Sequence, residues 1–513
     1  MASTSRLTGF KNESMGRVLV LFLLFLLAIY NLNSSGLSKF SIICLSPLAV
    51  VYLYFAYKYK MMTFWILFVT NYFLHFAYRT FYIPLPMSLP NELFMILLLV
   101  MAVIDTKDLH SERLFNLMGF GIFLWCTFCT LEVLNDTCDI GIDIARWFTA
   151  ARLFAYQLIY IFLVFSIYIS TPKILHKYLK VWGLLTIFAA FWVWKQKTFG
   201  FTQGERIFLE SGAIRAHFVG GIMRYFSVYS DAANYGCSMG ATSVAFYIFA
   251  ITARIKKDKL FYLVTAIAAT WGMFQSGTRT AIFCMILGFM AYVILSKSVK
   301  IAVPVIVFFS LFVSMLAFTN IGNGNDQIRR MRSAFDPNDN SKGAREMNQE
   351  AMRKYMKEAP WGIGLGISAD NCPKNNKFYL MSKVPPDSEY VNIWLRTGKI
   401  GLTVYLIHLG LILLGGCLVV LFKIKNPALR GIGAGMCCAF AGFQVGAYGN
   451  QVLMQFPNGV IYFGGMAIVY VLPFIESDYN AYEAERQALV EEKKRLKKEE
   501  REKSRVKNWL PWI

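Results

Sequence analysis

The chain has 513 residues, of which 56% are hydrophobic and 16% are charged, and its mean hydropathy is +0.45. A soluble chain of this length would divide into several domains with polar surfaces, so the composition excludes an ordinary soluble protein. The net charge of +21 does not require a nucleic-acid partner. Much of the positive charge falls in loops between apolar segments and in the C-terminal tail, where it suits an anionic lipid surface.

Apolar runs of about 17–25 residues, long enough to cross a bilayer as α-helix, recur along the chain. The first run lacks a small-residue cleavage site and is interpreted as a retained span rather than a signal peptide. We therefore predict an all-α polytopic integral membrane protein with about fourteen transmembrane helices. The spans are expected near 17–33, 37–57, 62–82, 90–105, 114–131, 148–170, 178–195, 231–252, 259–276, 279–296, 300–319, 390–422, 429–447 and 457–475. The run 390–422 is too long for one straight span, and its start is predicted to lie at the interface.

Basic residues are concentrated in one set of alternate short loops, which predicts that this set and both termini are cytoplasmic. That set holds Lys58, Lys60, Lys107, Arg113, Lys173, Lys177, Lys180, Arg254, Lys256, Lys257, Lys259, Lys297, Lys300, Lys423, Lys425 and Arg430, and the other holds Lys39, Arg79, Arg146 and Arg279. The predicted organisation has four regions. Residues 1–319 hold transmembrane helices 1–11, with an outer loop near 196–230, and residues 320–389 form a large external loop. Further transmembrane helices follow at 390–475, and 476–513 is a basic cytoplasmic tail.

The remaining features outside the spans leave several alternatives open. The tail from Glu483 to Lys507 reads either as a solvated charged helix or as an interfacial helix anchored by Trp509 and Trp512. A disulfide between Cys138 and Cys372, both in outer loops, is possible but not required by the sequence. The sequence contains no Walker loop, dinucleotide glycine fingerprint or acidic metal motif, which disfavours ATP-driven transport and nucleotide-sugar transfer.

Two groups of arginines fall on the predicted outer face. Arg279 lies in a tight turn within "FQSGTRTAIF", where it either anchors the helix end or holds an anion, since an arginine at bilayer depth is costly. The loop before "RYFSVYSDAANYG" carries a second group, whose fork-shaped guanidinium groups suit phosphate oxygens. Asp231 in that segment is a good helix-start residue. The loop residues are Arg206, Arg215, His217 and Arg224.

The long outer loop is predicted to contain an amphipathic helix from about Gly343 to Glu358. Met347, Ala351 and Tyr355 recur at i, i+4 and i+8 and are expected to share its apolar face. Arg345 is expected in the first turn, where a cation does not suit the helix dipole and would favour an anionic partner. That partner is either a ligand or a nearby acid, namely Asp336, Asp339 or Glu346.

The segment "VPPDSEYVNIWLRTGKIGL" places two acids just ahead of a span. Asp387 follows two prolines and is a plausible N-cap, and Glu389 in the first turn would favour the same helix start. With arginines predicted on the same face, the two acids are alternatively one half of a base-plus-cation site. Either Asp387 or Glu389 would then be the base.

These motifs resemble the bacterial O-antigen ligase/polymerase family. The family motif begins with a His and a small polar residue, continues with nine residues and ends in a G-x-x-G-like pair. Here Asp387 and Ser388 are followed by nine residues and then by Gly398 and Gly401. The span-end "SGTRTA", the outer loop with an arginine-bearing helix and the "PWGIGLG" segment match in the same order. The resemblance covers about 220–420.

The resemblance implies a metal-independent glycosyltransferase that needs no cofactor. It would take a glycan from undecaprenyl diphosphate on the periplasmic face of the bacterial inner membrane and join it to an acceptor glycan. Arg279 and Arg345 would bind the diphosphate, and Asp387 stands where ligases have the His that activates the acceptor. This departure favours an O-antigen or surface polysaccharide polymerase. The partners would be lipid-linked repeats or lipid A core, membrane lipids and a possible chain-length regulator.

The same residues suggest an inverting displacement in which guanidinium groups stabilise the leaving lipid diphosphate and a carboxylate takes the proton of the incoming hydroxyl. Arg215 and Arg224 are expected to contact substrate. Four aromatic residues of the outer segment either stack on sugar faces or anchor the chain in the aromatic belt of the membrane interface, and anchoring is expected of at least two of them. These residues are Trp361, Tyr379, Tyr390 and Trp394. The alternatives are an O-antigen ligase, a protein O-oligosaccharyltransferase and a lipid-linked oligosaccharide flippase or transporter. A transporter would be expected to have midplane charges and two related halves.

Overall fold

The structure is a computed structural model that describes residues 50–81, 83, 86–105, 110–335, 340–384 and 386–509, together with single positions between 19 and 48. The predicted spans at 17–33 and 37–57 lie largely outside the described residues. The chain forms two compact units, residues 1–66 and 67–513. In the first, the Tyr52 hydroxyl donates to Oγ1 of Thr63 at 3.2 Å. The site described below lies wholly in the second unit.

Helices make up almost all of the regular structure. The helices before the outer loop are α1 (Lys60–Phe81), α2 (Leu89–Ile104), α3 (Leu117–Leu131), α4 (Ile144–Ala151), α5 (Gln157–Tyr168), α6 (Pro172–Phe199), α7 (Gln203–Phe208), α8 (Ile214–His217), α9 (Ala232–Thr252), α10 (Lys256–Gln275), α11 (Arg279–Ser296) and α12 (Val299–Phe318). A π-helical turn, Arg152–Tyr156, joins α4 to α5. Two short antiparallel strands, β1 (Phe218–Val219) and β2 (Ile222–Met223), pair Phe218 with Met223 and Val219 with Ile222.

The second half of the chain contains the outer loop and the C-terminal helices. Its helices are α13 (Asp326–Arg332), α14 (Asn340–Met356), α15 (Tyr379–Lys383), α16 (Glu389–Leu418), α17 (Pro427–Gly449), α18 (Asn458–Val471) and α19 (Glu476–Trp509). Helix α16 is broken at Gly398, whose φ of +66° requires glycine. The segment before this break is the one predicted to lie at the interface.

The prediction of an all-α fold is confirmed, since 80% of the structure is helical. Among the described residues, eight helical segments are long and apolar enough to cross a membrane, and two apolar helices are shorter. Helices also occupy twelve of the positions at which spans were predicted, from α1 to α18. The predicted count of about fourteen spans is not confirmed, nor is the external position of the loop at 320–389.

The core of the bundle is built from helices that approach closely through small residues. Helices α9, α11 and α17 pack against one another over most of their lengths. A Cβ on Gly240 of α9 would lie 2.5 Å from the Ala281 carbonyl oxygen, and one on Gly288 of α11 would lie 3.0 Å from the Cys438 carbonyl oxygen. Glycine at these contacts lets the helix backbones approach closely. Because there is no hydrophobic driving force between helices inside a bilayer, such close packing is what stabilises their association.

The loop at 320–389 packs around a hydrophobic core to which Cys138 also contributes. Met352 and Met356 of α14 are buried in it, together with Ile363, Cys138 and Cys372. The predicted apolar face is wrong for Met347, which is 68% exposed, and for Ala351, which is also exposed, whereas Tyr355 packs against this core. Both cysteines are free thiols in the structure, with their side chains in hydrogen-bond contact. Burial raises the pKa of the Cys138 thiol to about 12.

The beginning of the C-terminal tail is docked rather than solvated. Arg486 of α19 forms an ion pair with Asp258 at 2.8 Å, and Glu483 forms one with Arg254 at 3.0 Å. Farther along, the ion pair of Arg495 with Glu499 is exposed and lies within the helix. The side chain of Trp509 and the whole of Trp512 lie outside the described residues, so the interfacial interpretation of the tail stays a prediction.

Candidate active site

Residues 276–278 form a tight turn between α10 and α11. Gly277 has a φ of +56°, and its N–H donates to the Phe274 carbonyl at 3.1 Å. The Ser276 hydroxyl accepts from the Thr278 N–H at 3.1 Å, which closes the turn. Ser276 and Thr278 are both buried. The turn is therefore held rigidly and offers its backbone carbonyls to neighbouring side chains.

Three arginines from different parts of the chain meet at this turn. Arg224 donates to Oγ1 of Thr278 at 3.0 Å and lies 3.4 Å from the Ser276 carbonyl. Arg330 of α13 donates to the Gly277 carbonyl at 2.6 Å. Arg279 begins α11 and donates to the Ser333 carbonyl at 3.2 Å. We call residues 276–278 with these three side chains the arginine turn.

Gly277 lies between two of these guanidinium side chains. A Cβ there would lie 3.0 Å from Cδ of Arg330 and 3.2 Å from Cγ of Arg224. The absence of a side chain therefore allows both arginines to reach the turn. Three permanently charged groups at one turn give this end of the bundle the positive charge and the N–H donors that phosphate oxygens need.

Arg330 was not among the residues predicted for the site. Its helix, "DQIRRMR", carries three ionised residues besides it, and the sequence does not indicate which base faces the turn. In the structure Arg329 is paired with Asp326 at 2.6 Å, and Arg332 donates to the Ile321 carbonyl at 2.7 Å. Arg330 is the member of this basic cluster that reaches Gly277. The concentration of arginines was the available signal.

Asp387 does not act as the helix cap that the sequence suggested. The cap position of α16 belongs to Ser388, and its side chain makes no capping hydrogen bond. Instead, the buried Ser388 hydroxyl donates to the Ala447 carbonyl at 3.2 Å. Asp387 itself is exposed. Since Asp and Ser are both good cap residues, the sequence could not distinguish adjacent cap positions.

Glu389 and Tyr390, both predicted to bind substrate, tie the start of α16 to the end of α17. Glu389 is 2% exposed, and its carboxylate accepts the backbone N–H groups of Val452 and Leu453. The Tyr390 hydroxyl donates to Oε1 of Gln444 at 2.9 Å. Both side chains are thus engaged in packing the helices, whereas the carboxylate of Asp387 faces solvent.

The end of α17 brings the arginine turn and Asp387 to one place. Asn450 donates to Oγ1 of Thr280, next to Arg279, at 2.7 Å. Ala447 lies three residues before Asn450, and its carbonyl accepts from Ser388, the residue after Asp387. The two contacts are therefore separated by slightly less than one helical turn, about 4.5 Å along the axis at 1.5 Å per residue. Arg279 and Asp387 therefore flank the same helix end.

The other predicted site residues lie elsewhere or are engaged differently. Trp361 is 49% exposed, and its ring stacks on Phe128 at 6.1 Å beside a cavity of about 530 Å³. Arg215 is exposed on α8. Arg345 is the sixth residue of α14, so its predicted place in the first turn is wrong, and its side chain lies outside the described residues.

His217 is a structural residue. Its ring is buried against Phe226, with the centroids 4.8 Å apart. Nδ1 lies 2.8 Å from the Ala213 carbonyl and Nε2 accepts the Ala232 N–H at 3.3 Å, which together define a neutral ring with the proton on Nδ1. Burial lowers the pKa of His217 below 6.5, in agreement with this tautomer. His217 thus fastens the loop to the start of α9.

The start of α9 follows the sequence prediction. The Asp231 carboxylate accepts from the N–H groups of Ala233 at 2.8 Å and Asn234 at 2.9 Å, so Asp231 is the N-cap. In the part of the chain that the structure describes, no cluster of three or more His, Cys, Asp or Glu side chains has the geometry to hold a metal ion.

Residues 263–406 match the family model described as O-antigen ligase. This match supports the resemblance to the O-antigen ligase/polymerase family over that part of the chain. The matched residues include Arg279, Arg330 and Asp387. A search of curated proteins found no match. Together with the apolar helices, the family match indicates a multi-pass membrane protein with glycan-transferring activity of the ligase/polymerase type.

Proposed function

We propose that the protein is an outer-face glycosyltransferase of the bacterial inner membrane. It moves a glycan from undecaprenyl diphosphate to a hydroxyl of an acceptor glycan, as a surface polysaccharide polymerase. The observation that carries the proposal is the convergence of Arg224, Arg279 and Arg330 on one turn, beside the helix end that also carries Asp387. Arg345 and Arg215 remain predicted contributors to substrate binding.

In this mechanism the arginine turn binds the diphosphate. As the acceptor oxygen attacks the anomeric carbon, the bond between that carbon and the diphosphate oxygen breaks, and the electron pair leaves with the diphosphate. The negative charge that develops there is stabilised by guanidinium N–H groups already fixed on backbone carbonyls, an arrangement that needs little reorganisation. Attack opposite the leaving group inverts the anomeric configuration.

Asp387 is proposed as the base that takes the proton of the acceptor hydroxyl. Its carboxylate is exposed and is not the helix cap, whereas the carboxylate of Glu389 accepts two backbone N–H groups. A base must reach the hydroxyl within hydrogen-bond distance, which favours the accessible carboxylate. Glu389 then holds the start of α16 in place.

An O-antigen ligase is the second candidate, and the description of the matching family favours it. It would use the same donor and the same arginines but would transfer the glycan to lipid A core. Asp387 in place of the family's His is the observation against it. A flippase is less favoured, because the arginines cluster at one helix end rather than at the middle of a span.

The test uses purified protein in detergent with a synthetic lipid-diphosphate repeat unit, without nucleotide and with a chelator. Separation of the products by size is expected to give a ladder of lengthened lipid-linked chains. Arg279→Ala and Asp387→Ala are each expected to reduce transfer by about a hundredfold or more, the range seen when one charge-stabilising group is lost. Product only after lipid A core is added would instead identify a ligase.

Matched controls separate loss of the site from loss of folding. Arg353→Ala removes an exposed arginine of α14, and Asp370→Ala removes an exposed acid of the same loop. Both controls are expected to keep normal transfer, and all four variants should elute as the wild type does in size-exclusion chromatography. Chains of normal length from Arg279→Ala or Asp387→Ala would refute the assignment of that residue.

A further inference from the structure

A cavity of about 430 Å³ lies beside the start of α16. It is an open cavity lined by α1, the segment before α2, the junction of α4 and α5, α16 and the segment that follows α17. We call it the Glu389 cavity, and its lining includes His75, Ser88, Thr149, Arg152, Phe154 and Glu389. Its volume lies in the usual range of ligand sites, about 300–1,000 Å³. A π-helical turn such as the one at Arg152 is frequently found at functional sites.

The charge of the Glu389 cavity does not favour an anion. Nη1 of Arg152 is paired with Oε2 of Glu92 at 3.1 Å, and Nη2 donates to the Ser88 hydroxyl at 3.3 Å. The cation is therefore compensated within the protein. Glu389 adds a carboxyl group to the wall. A diphosphate or an anionic lipid headgroup would bring its negative charge next to a buried acidic side chain, beside a cation that is already paired, which disfavours it.

The remaining polar groups suit a neutral ligand with hydroxyls. Asn392 and Gln451 line the cavity and are joined by a hydrogen bond of 3.4 Å. A side-chain amide carries both N–H donors and a carbonyl acceptor, so these two residues can pair with the hydroxyls of a ligand.

Aromatic rings complete the wall. Phe154 and Phe456 both line the cavity alongside the amide side chains. A sugar ring presents hydroxyls at its edge and C–H groups on its face, which match amides and aromatic rings respectively. The lining therefore fits a neutral saccharide better than it fits a purely apolar chain.

The Glu389 cavity also lies next to the proposed base. Gln451 donates to the Pro386 carbonyl, immediately before Asp387, and Glu389 follows two residues later. The cavity of about 530 Å³ beside Trp361 has no such connection, because its lining comes from Phe128 to Thr137 and from Ile400. Of these two cavities, the Glu389 cavity is the one whose wall contacts the chain next to Asp387.

We propose that the Glu389 cavity binds a neutral sugar unit of the acceptor glycan and directs its hydroxyl toward Asp387. The inference rests on the proposed function, because it assigns the acceptor site of that reaction. Thr149 stands at the rim of the cavity and is exposed, and its hydroxyl donates to the Ala145 carbonyl of its own helix. Its side chain can therefore be changed in size without removing a donor from the cavity.

The test measures saccharide binding separately from transfer. Saturation-transfer NMR on purified full-length protein would use methyl glycosides of hexoses and N-acetylhexosamines, with inorganic diphosphate as the anionic probe. Wild type and Thr149→Ala are expected to give a saccharide signal, and Thr149→Trp is expected to lose it because the indole fills the cavity. Arg279→Ala, which should lose transfer, is expected to keep the saccharide signal.

Each outcome bears on the inference. No saccharide signal from the wild type, or an undiminished signal from Thr149→Trp, would overturn it even if the protein polymerises glycans. A diphosphate signal that disappears in Thr149→Trp would show an anion site instead. If the expected saccharide pattern appears without transfer by any protein, the cavity assignment stands and the proposed function fails. Equal unfolding temperatures of the two Thr149 variants would exclude a general folding defect.

Discussion

At the scale of single residues, the candidate site depends on how closely the arginines approach one backbone turn. Arg330 and Arg224 both lie against Gly277, and each donates to a group of the turn. A guanidinium held by part of its N–H groups loses little freedom when it binds a phosphate with others. The geometry of the turn is therefore as important to the proposed chemistry as the charges.

Gly277→Ala is expected to reduce glycan transfer strongly while leaving the protein folded. A non-glycine residue at φ +56° costs about 1–2 kcal/mol, and the new Cβ would push against Cδ of Arg330 at 3.0 Å. Displacement of the guanidinium groups by about 1 Å can cost about a hundredfold in rate. The measurement is the initial rate of chain lengthening, compared with the unfolding midpoint.

Gly324→Ala provides the control for this substitution. Gly324 lies between α12 and α13, and a Cβ there would meet no heavy atom within 4 Å. Its rate is expected to equal that of the wild type. If Gly277→Ala also retains the wild-type rate, close approach of the arginines to the turn is not needed for transfer.

The roles of single residues could be predicted from the sequence where their contacts are local, but not where their contacts are distant in the sequence. Asp231 caps the helix that it precedes, and Arg279 lies at the span end where the motif placed it. By contrast, Ser388 donates to the carbonyl of Ala447, which lies 59 residues later in the sequence. Arg330 donates to the carbonyl of Gly277, which lies 53 residues earlier. Such contacts leave no periodic signal in a single sequence.

At the scale of the elements, hydrophobic periodicity located helices better than it located their buried faces. Helix α14 was expected from Gly343 to Glu358 and runs from Asn340 to Met356. The face that contains Met352 and Met356 is buried, whereas Met347 is exposed. Both candidate faces repeat at i, i+4, so the choice between them was decided by the loop core around Cys138 and Cys372, which the sequence does not specify.

Asp258→Asn is expected to destabilise the docking of α19 by about 2 kcal/mol. Asp258 pairs with Arg486 at 2.8 Å and lies 3.5 Å from Nε2 of His176, in a partly buried network. Breaking a fully buried ion pair costs about 3–5 kcal/mol, and partial exposure of the Arg486 side chain reduces this value. The thermal unfolding midpoint in detergent and limited proteolysis of the tail measure the effect.

Glu499→Gln is the matched control in the same helix. Its pair with Arg495 is exposed and separated by four residues, an interaction worth about 0.3–0.5 kcal/mol. We expect the unfolding midpoint and the proteolysis rate to stay near those of the wild type. A tail that is equally resistant in Asp258→Asn would mean that the ion pairs do not hold α19 in place.

At the scale of the whole molecule, the order of the helices places the candidate site at one end of the bundle and the C-terminal tail at the other. Between Arg279 and Asp387 the chain forms two apolar helices, α11 and α12, followed by the loop helices α13, α14 and α15. Three helices, α16, α17 and α18, separate Asp387 from the start of α19. If each of these helices crosses the membrane, the arginine turn and the tail face opposite compartments.

Sided labelling of introduced cysteines tests this arrangement together with its predicted orientation. Asp370→Cys lies in the exposed outer loop and Glu491→Cys in the exposed part of α19. With a membrane-impermeant maleimide, Asp370→Cys is expected to react in right-side-out vesicles and Glu491→Cys only in inverted ones, because the basic loops should be cytoplasmic. Wild-type protein supplies the background from the native thiols. If both variants are labelled from the same side, α16, α17 and α18 do not each cross the membrane. If Asp370→Cys reacts only in inverted vesicles and Glu491→Cys only in right-side-out ones, the arginine turn faces the cytoplasm. An outer-face transferase would have no access to its substrates there.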